Sequence, residues 1–374
     1  MERMAYGDLK VQSRVLMGPG PSDVDPRVLK AMTLPVVGHL DPGFLTTMDE
    51  VQELLRHVFQ TENELTLTVP GTGMAGMEAA LTNLLEPGDR VVVGINGFFG
   101  GRLAEIAARC GAQVVKVEVP WGEIIPPGAI EEALAGEPTK LVALVHAETS
   151  TGVLQPLEEI SQVVHRHGAL LLVDMVTSLG GTEVRLDDWG VDVAYSGSQK
   201  CLGCPPGLAP VSFGPRAVEA MERRQGPPPN WYLDLSLIGK YWSQERFYHH
   251  TAPISLVYAM REALRLVYEE GLAQRFDRHR AISQQLQEGL EELGLELFAP
   301  AHLRAPMLTT VKIPEGVEDA QVRSRLLQEY GVEIGGGLGQ LKGKIWRIGL
   351  MGYSCQTRNV TLLLAALKEI LREA

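Results

Sequence analysis

Four cysteines in 374 residues are too few for a disulfide framework, and only Cys201 and Cys204 stand close together. That scarcity fits a reducing compartment. No apolar run reaches the roughly 20 residues that a membrane-crossing helix needs. Residues 1–10 lack a basic stretch followed by an apolar one, and the closing Leu371-Arg372-Glu373-Ala374 is no peroxisomal address. The expectation is a cytoplasmic protein with nothing removed and no membrane partner. Positive charge is also short: 34 Lys and Arg stand against 46 Asp and Glu, a formal net charge of -12. An acidic surface repels a phosphate backbone, so nucleic acid is excluded as a general partner, while a local basic pocket for a small anion is not. What remains is 45% hydrophobic and 21% charged, the composition of a folded soluble protein with room for a large domain and a smaller one.

Apolar spacing of one helix face alternates with short β-branched runs from about residue 50 onward. Met48 to Phe59 reads as a helix through Val51, Leu54, Leu55 and Val58. Met74 to Leu85 is a second, stopped by Glu86-Pro87-Gly88-Asp89, and Arg90 to Ile95 follows as a buried strand. The unit repeats with helix Arg102 to Cys110 and strand Gln113 to Val119. Strands Leu141 to His146, Ala169 to Val173, Val191 to Tyr195 and Leu208 to Phe213 continue the series, with Leu157 to His167 a helix. Strands apolar on both faces and separated by helices predict an α/β fold, a mostly parallel sheet sandwiched by helices. After about residue 255 come two long amphipathic helices, two strands and a closing helix, Val360 to Arg372. The expected division is therefore a large domain over residues 16–255 and a smaller α+β domain over 256–374, with residues 1–15 packing on the smaller domain or on a partner subunit.

Two strand ends carry chemistry. Leu170-Leu171-Leu172-Val173 ends in Asp174, and Val191 to Tyr195 runs into Ser196-Gly197-Ser198-Gln199-Lys200. Ligands gather at the carboxyl ends of strands in such sheets. Singly, Asp174 is as well explained as a turn cap and Lys200 as a solvated charge. Together they supply what pyridoxal phosphate requires: a carboxylate to keep the ring nitrogen protonated and an amine to hold the aldehyde. Gly71-Thr72-Gly73-Met74 stands where a helix begins, a ready anion site, and no Walker lysine follows it.

Six runs in one order, spanning Leu16 to about Leu364, resemble the class V, fold-type I aminotransferases of the alanine-glyoxylate and serine-pyruvate group. They are Met17-Gly18-Pro19-Gly20-Pro21-Ser22, Glu148-Thr149-Ser150-Thr151-Gly152, Leu172-Val173-Asp174 with Ser178-Leu179-Gly180-Gly181, Ser196-Gly197-Ser198-Gln199-Lys200, Tyr248-His249-His250-Thr251, and Arg347-Ile348-Gly349. The resemblance implies a pyridoxal 5'-phosphate enzyme that moves an amino group between a small amino acid, alanine or serine, and a 2-oxo acid such as glyoxylate or pyruvate. It makes Lys200 the Schiff-base lysine and Asp174 the partner of the pyridine nitrogen. Thr72, Gly73 and Gln199 would hold the phosphate, Thr149 would reach the ring oxygen, and Met74, Phe99 and Val176 would line the cofactor. Tyr248 and Thr251 would arrive from the second subunit of a homodimer, and Arg347 would grip the substrate α-carboxylate.

Phe99 stands where mammalian relatives stack a tryptophan, and Met74 where they place a histidine; a flat apolar face survives the first change. Three rival readings accompany this one: a lyase or an aminophosphonate transaminase on the same scaffold, and a non-catalytic subunit that kept the fold. No metal is expected, because Cys201 and Cys204 lack a second ligand pair. His165 and His167 read as exposed or dipole-stabilised residues at a helix end.

Overall fold

A computed structural model describes residues 7–373. Its strands pair into one sheet in the spatial order Leu65–Pro70, Leu208–Phe213, Val193–Tyr195, Leu170–Asp174, Leu141–Val145, Arg90–Ile95 and Gln113–Glu118. Every pairing from Val193–Tyr195 to Gln113–Glu118 is parallel, whereas Leu208–Phe213 runs against both of its neighbours. The reason is local. Residues 196–207 form a loop without a helix, which permits an antiparallel return but not the crossover that a parallel one needs.

Leu141–Val145 and Leu170–Asp174 are buried at every residue, as central strands covered on both faces must be. The edge strand Gln113–Glu118 is instead partly exposed and carries Lys116 and Glu118, charges that discourage pairing with another chain. Leu65–Pro70 escaped the sequence reading. Its alternating Leu65-Thr66-Leu67-Thr68-Val69 suggests one wet face, yet the interior is buried, with Thr66 Oγ1 bonded to Asn63 O at 2.8 Å and Ser212 Oγ at 2.9 Å.

A second, antiparallel sheet joins Leu308–Lys312, Ile345–Gly349 and Gly335–Gly336. Leu286, Leu290, Val311, Trp346, Ile348, Val360 and Leu363 form its core together with Met17 from near the other end of the chain. Val15–Leu16 pairs with Val332–Glu333, and Gly349 N donates to Met17 O at 2.7 Å. Residues 14–17 thus pack on this part, while residues 1–6 lie outside the described residues. The change of pattern at residue 255 is not a change of core. Val257, Met260, Leu264 and Val267 of helix Ile254–Glu270 belong to the first core and pack on helix Pro42–Phe59. The second core takes over only in the last turns of Leu272–Glu292. Among the described residues no helix is long and apolar enough to cross a membrane.

Candidate active site

Five segments leave the same edge of the large sheet, because their strands point the same way. Gly71-Thr72-Gly73 follows Leu65–Pro70, Phe98-Phe99 follows Arg90–Ile95, Thr149 follows Leu141–Val145, Asp174 ends Leu170–Asp174, and Lys200 follows Val193–Tyr195. They enclose a cavity of about 160 Å³ lined by Thr72, Gly73, Met74, Met77, Phe99, Val145, Thr149, Asp174, Val176, Gln199 and Lys200.

One end of that cavity suits an anion. Thr72 precedes helix Gly73–Leu84, and its side chain makes no capping bond, so the hydroxyl is free beside a helix N-terminus. Gly71 has φ +137°, and a Cβ on Gly73 would sit 2.8 Å from Val176 Cγ2, so both positions need glycine. Gln199 closes the same end. Its Oε1 is buried without a partner, and since the two ends of a carboxamide exchange by a flip, the side chain can offer N–H there instead.

At the other end, Asp174 Oδ2 accepts a 2.7 Å hydrogen bond from the Tyr195 hydroxyl and Oδ1 accepts from Val176 N at 2.8 Å. Burial pushes its carboxyl up to about 6, against the pull of those two donors. Lys200 Nζ donates to Pro19 O. Burial, and then the nearby Arg347 guanidinium, draw the ammonium down to about 8.

Arg347 sits on the second sheet, in strand Ile345–Gly349, yet reaches the cavity wall. Its Nε donates to Gly336 O at 2.7 Å and its Nη1 to Thr149 O at 3.3 Å. It is buried and forms no ion pair among the described residues, so it is not an ordinary surface salt bridge. Burial lowers it to about 10, with the Glu148 carboxylate opposing. A buried guanidinium without an ion-pair partner keeps capacity for an external carboxylate.

The aminotransferase class-V family model matches residues 16–356. The chain is a class V aminotransferase. It is 43% identical to the (S)-ureidoglycine--glyoxylate transaminase of Bacillus subtilis, over 96% of this chain and 90% of that one. It is likewise 43% identical to the alanine--glyoxylate aminotransferase of Rattus norvegicus, over 97% and 89%. Among solved structures, the alanine--glyoxylate aminotransferase from Nostoc sp. superimposes with a TM-score of 0.97 at 52% identity, covering 99% of this chain and 98% of that one. Class V aminotransferases are pyridoxal phosphate-dependent transaminases, and the anion end, the paired Asp174 and Lys200 and the flat Phe99 fit that cofactor.

In this class V aminotransferase Tyr248 and Thr251 are exposed and do not line the cavity of their own chain. Sequence reading missed Tyr195, which hydrogen-bonds Asp174, and Thr177, whose Oγ1 lies 2.8 Å from Thr149 Oγ1. Register could have found the first: Tyr195 sits directly opposite Asp174 in adjacent strands. Met77 and Val145 also line the wall unforeseen. His165 sits in the last turn of helix Glu158–Arg166 as expected, and its Nε2 also lies 3.1 Å from Asp192 Oδ2, a carboxylate shared with Arg216. Cys201 and Cys204 are buried, and burial pushes both thiols up.

Proposed function

We propose that this class V aminotransferase takes the amino group of a small amino acid, alanine or serine, and delivers it to glyoxylate or pyruvate, with Lys200, Asp174 and Arg347 as its working residues. The observation that carries this reading is the buried Arg347, without an ion-pair partner among the described residues, which bonds the carbonyl of Thr149 beside the Lys200 cavity and lies close enough to depress the Lys200 ammonium. It suits a substrate that brings its own α-carboxylate, which an aminophosphonate lacks. Both curated relatives named above are glyoxylate transaminases. The Bacillus relative favours a second donor, (S)-ureidoglycine.

Bound pyridoxal phosphate supplies an aldehyde that an amine can capture and a pyridinium ring that draws electrons from the substrate α-carbon. The chain's part is to hold and to move protons. Thr72, the N–H of Gly73 and Gln199 would hold the phosphate, Phe99 would cover the ring, and Thr149 would meet the ring oxygen. Asp174, kept acceptor-side inward by Tyr195 and Val176, holds the proton on the ring nitrogen. Arg347 fixes the substrate carboxylate by a planar two-pronged contact. Lys200 would hold the cofactor through its amine and, when free, would take the proton from the substrate α-carbon. Its depressed value, about 8, leaves far more neutral amine near neutral pH than an exposed lysine has.

Tyr248 and Thr251 are assigned to the phosphate end of a neighbouring copy, which makes the working unit a homodimer, and the working compartment is the cytoplasm. We keep a large domain and a smaller C-terminal one; the start of the second core within helix Leu272–Glu292 favours a boundary later than residue 255. A panel of donors and acceptors, read as half-reactions by the cofactor's absorbance change, tests the function. Alanine, serine and (S)-ureidoglycine are each mixed with the purified holoenzyme, and glyoxylate or pyruvate then restores the starting spectrum. No response to any amino acid sinks the aminotransferase reading.

A further inference from the structure

Helix Phe98–Arg109 begins without a cap of its own. The residue before it is Gly97, which has no side chain to accept the first N–H groups. The acceptors come from elsewhere in the chain. Glu148 Oε2 accepts from Phe99 N at 3.0 Å and Gly100 N at 3.3 Å, and Ser150 Oγ accepts from Phe98 N at 2.9 Å. Glu148 Oε1 in turn accepts from Ser150 N at 3.0 Å and from the Ser150 hydroxyl at 2.7 Å. All four groups on the carboxylate are donors, and the side chain is 0% exposed.

The fit is tight on the helix side. A Cβ on Gly97 would lie 2.2 Å from Glu148 Cγ, so only glycine lets the carboxylate reach the helix. Phe99, the second residue of that helix, lines the Lys200 cavity, and Thr149, next to Glu148, carries the carbonyl that receives Arg347 Nη1. One buried acid therefore joins the ring-covering wall to the substrate-binding side.

We infer that Glu148 is a positioning residue that acts through Phe99: its carboxylate is a detached cap that holds the first turn of Phe98–Arg109, and so the Phe99 ring, against the cofactor. This rests on the reading of Phe99 as the ring-covering residue. Glutamine cannot replace it, because an amide turns an N–H toward two of the four donors.

The test is a double-mutant cycle on the binding of pyridoxamine 5'-phosphate, which Lys200 cannot hold covalently, to the cofactor-free full chain by equilibrium dialysis. Stacking of a flat heteroaromatic ring makes Phe99→Ala weaken binding by roughly tenfold. Glu148→Gln and Glu148→Ala are expected to weaken it to a similar degree, and either combined with Phe99→Ala to be little worse than Phe99→Ala alone. An acid with a merely structural role gives effects that add in full, and that result overturns the inference. Unchanged binding in the Glu148 variants beside weakened binding in Phe99→Ala removes the inference alone. Unchanged binding in Phe99→Ala removes the ring-covering reading and the inference with it. Ser150→Ala, a smaller lesion in the same clamp, is expected to shift binding in the same direction and serves if the Glu148 variants do not fold; unchanged binding there also counts against the cap.

Discussion

The Tyr195 hydroxyl donates a 2.7 Å hydrogen bond to Asp174 Oδ2 from the position directly opposite it in the neighbouring parallel strand. The register of the strand pair thus sets the state of the acid at the centre of the site. Burial raises that carboxyl to about 6, and Tyr195 is foremost among the groups that hold it down.

Tyr195→Phe therefore moves Asp174 upward. A hydrogen bond to a charged group contributes about 1.5–3 kcal/mol, equivalent to roughly one to two pKa units. In the proposed role Asp174 is ionised to keep the ring nitrogen protonated, so affinity for pyridoxal phosphate should fall as pH drops through the carboxyl's pKa. In the variant that fall starts at higher pH. Dissociation constants measured across about pH 5 to 9 show it, and an unmoved acid limb contradicts the role of Tyr195.

Arg347→Ala removes the carboxylate receptor proposed above. With about 1.5–3 kcal/mol lost, kcat/KM should drop about tenfold to a hundredfold or more for every amino acid donor. Affinity for the cofactor should change little, since Arg347 does not line the cofactor cavity. Full efficiency in half-reaction kinetics would remove Arg347 from the site.

His279 links the two parts of the chain: its Nδ1 lies 2.8 Å from Arg275 O, and its Nε2 accepts from Gly352 N at 3.2 Å. Burial holds it neutral, down to about 3, so only the unfolded chain takes up its proton between about pH 6.5 and 3. Stability from this group is present above the unfolded value and declines as pH falls below it, by roughly 1.4 kcal/mol per pH unit. His279→Gln should cost some stability at neutral pH but flatten the decline. Melting temperatures at about pH 7 and 5 for both proteins give the comparison, and equal slopes would refute it.

Glu270 ends helix Ile254–Glu270 and binds Arg275 and Arg278 at 2.6 Å each. Arg275 also grips Gly180 O and Cys201 O, the loops that follow Asp174 and Lys200. Glu270→Ala strands a buried guanidinium and should destabilise the fold by about 3 kcal/mol, read as a lower urea midpoint. A midpoint unchanged from the parent would show that Arg275 needs no acid.

Much of this was legible beforehand because strands and helices of this kind are written in short-range periodicity. Arg90–Ile95 and Leu208–Phe213 have the bounds that their apolar runs suggest, and most neighbouring elements differ by only a few residues. Leu65–Pro70 failed because its threonines are buried, Thr66 against Ser212 of a distant strand, which no local pattern reveals. The expectation of a mostly parallel sheet leaves the sense of Leu208–Phe213 unassigned; its antiparallel return depends on what the loop before it does not contain. Packing of helix Ile254–Glu270 on the first core likewise depends on a helix about two hundred residues earlier.

The sequence by itself determined the chemistry: an acid and a lysine at successive strand ends, a glycine turn before a helix, and an arginine in a familiar run name a pyridoxal phosphate aminotransferase without coordinates. Only the tertiary structure decided which groups tune that chemistry. Tyr195 beneath Asp174 and Glu148 capping a helix from another strand are contacts made when parallel strands align their ends, and Arg347, bonded to Thr149 O without an ion-pair partner among the described residues, arrives from the second, antiparallel sheet. Local spacing encodes elements, and burial with long-range hydrogen bonding sets the charge states within them.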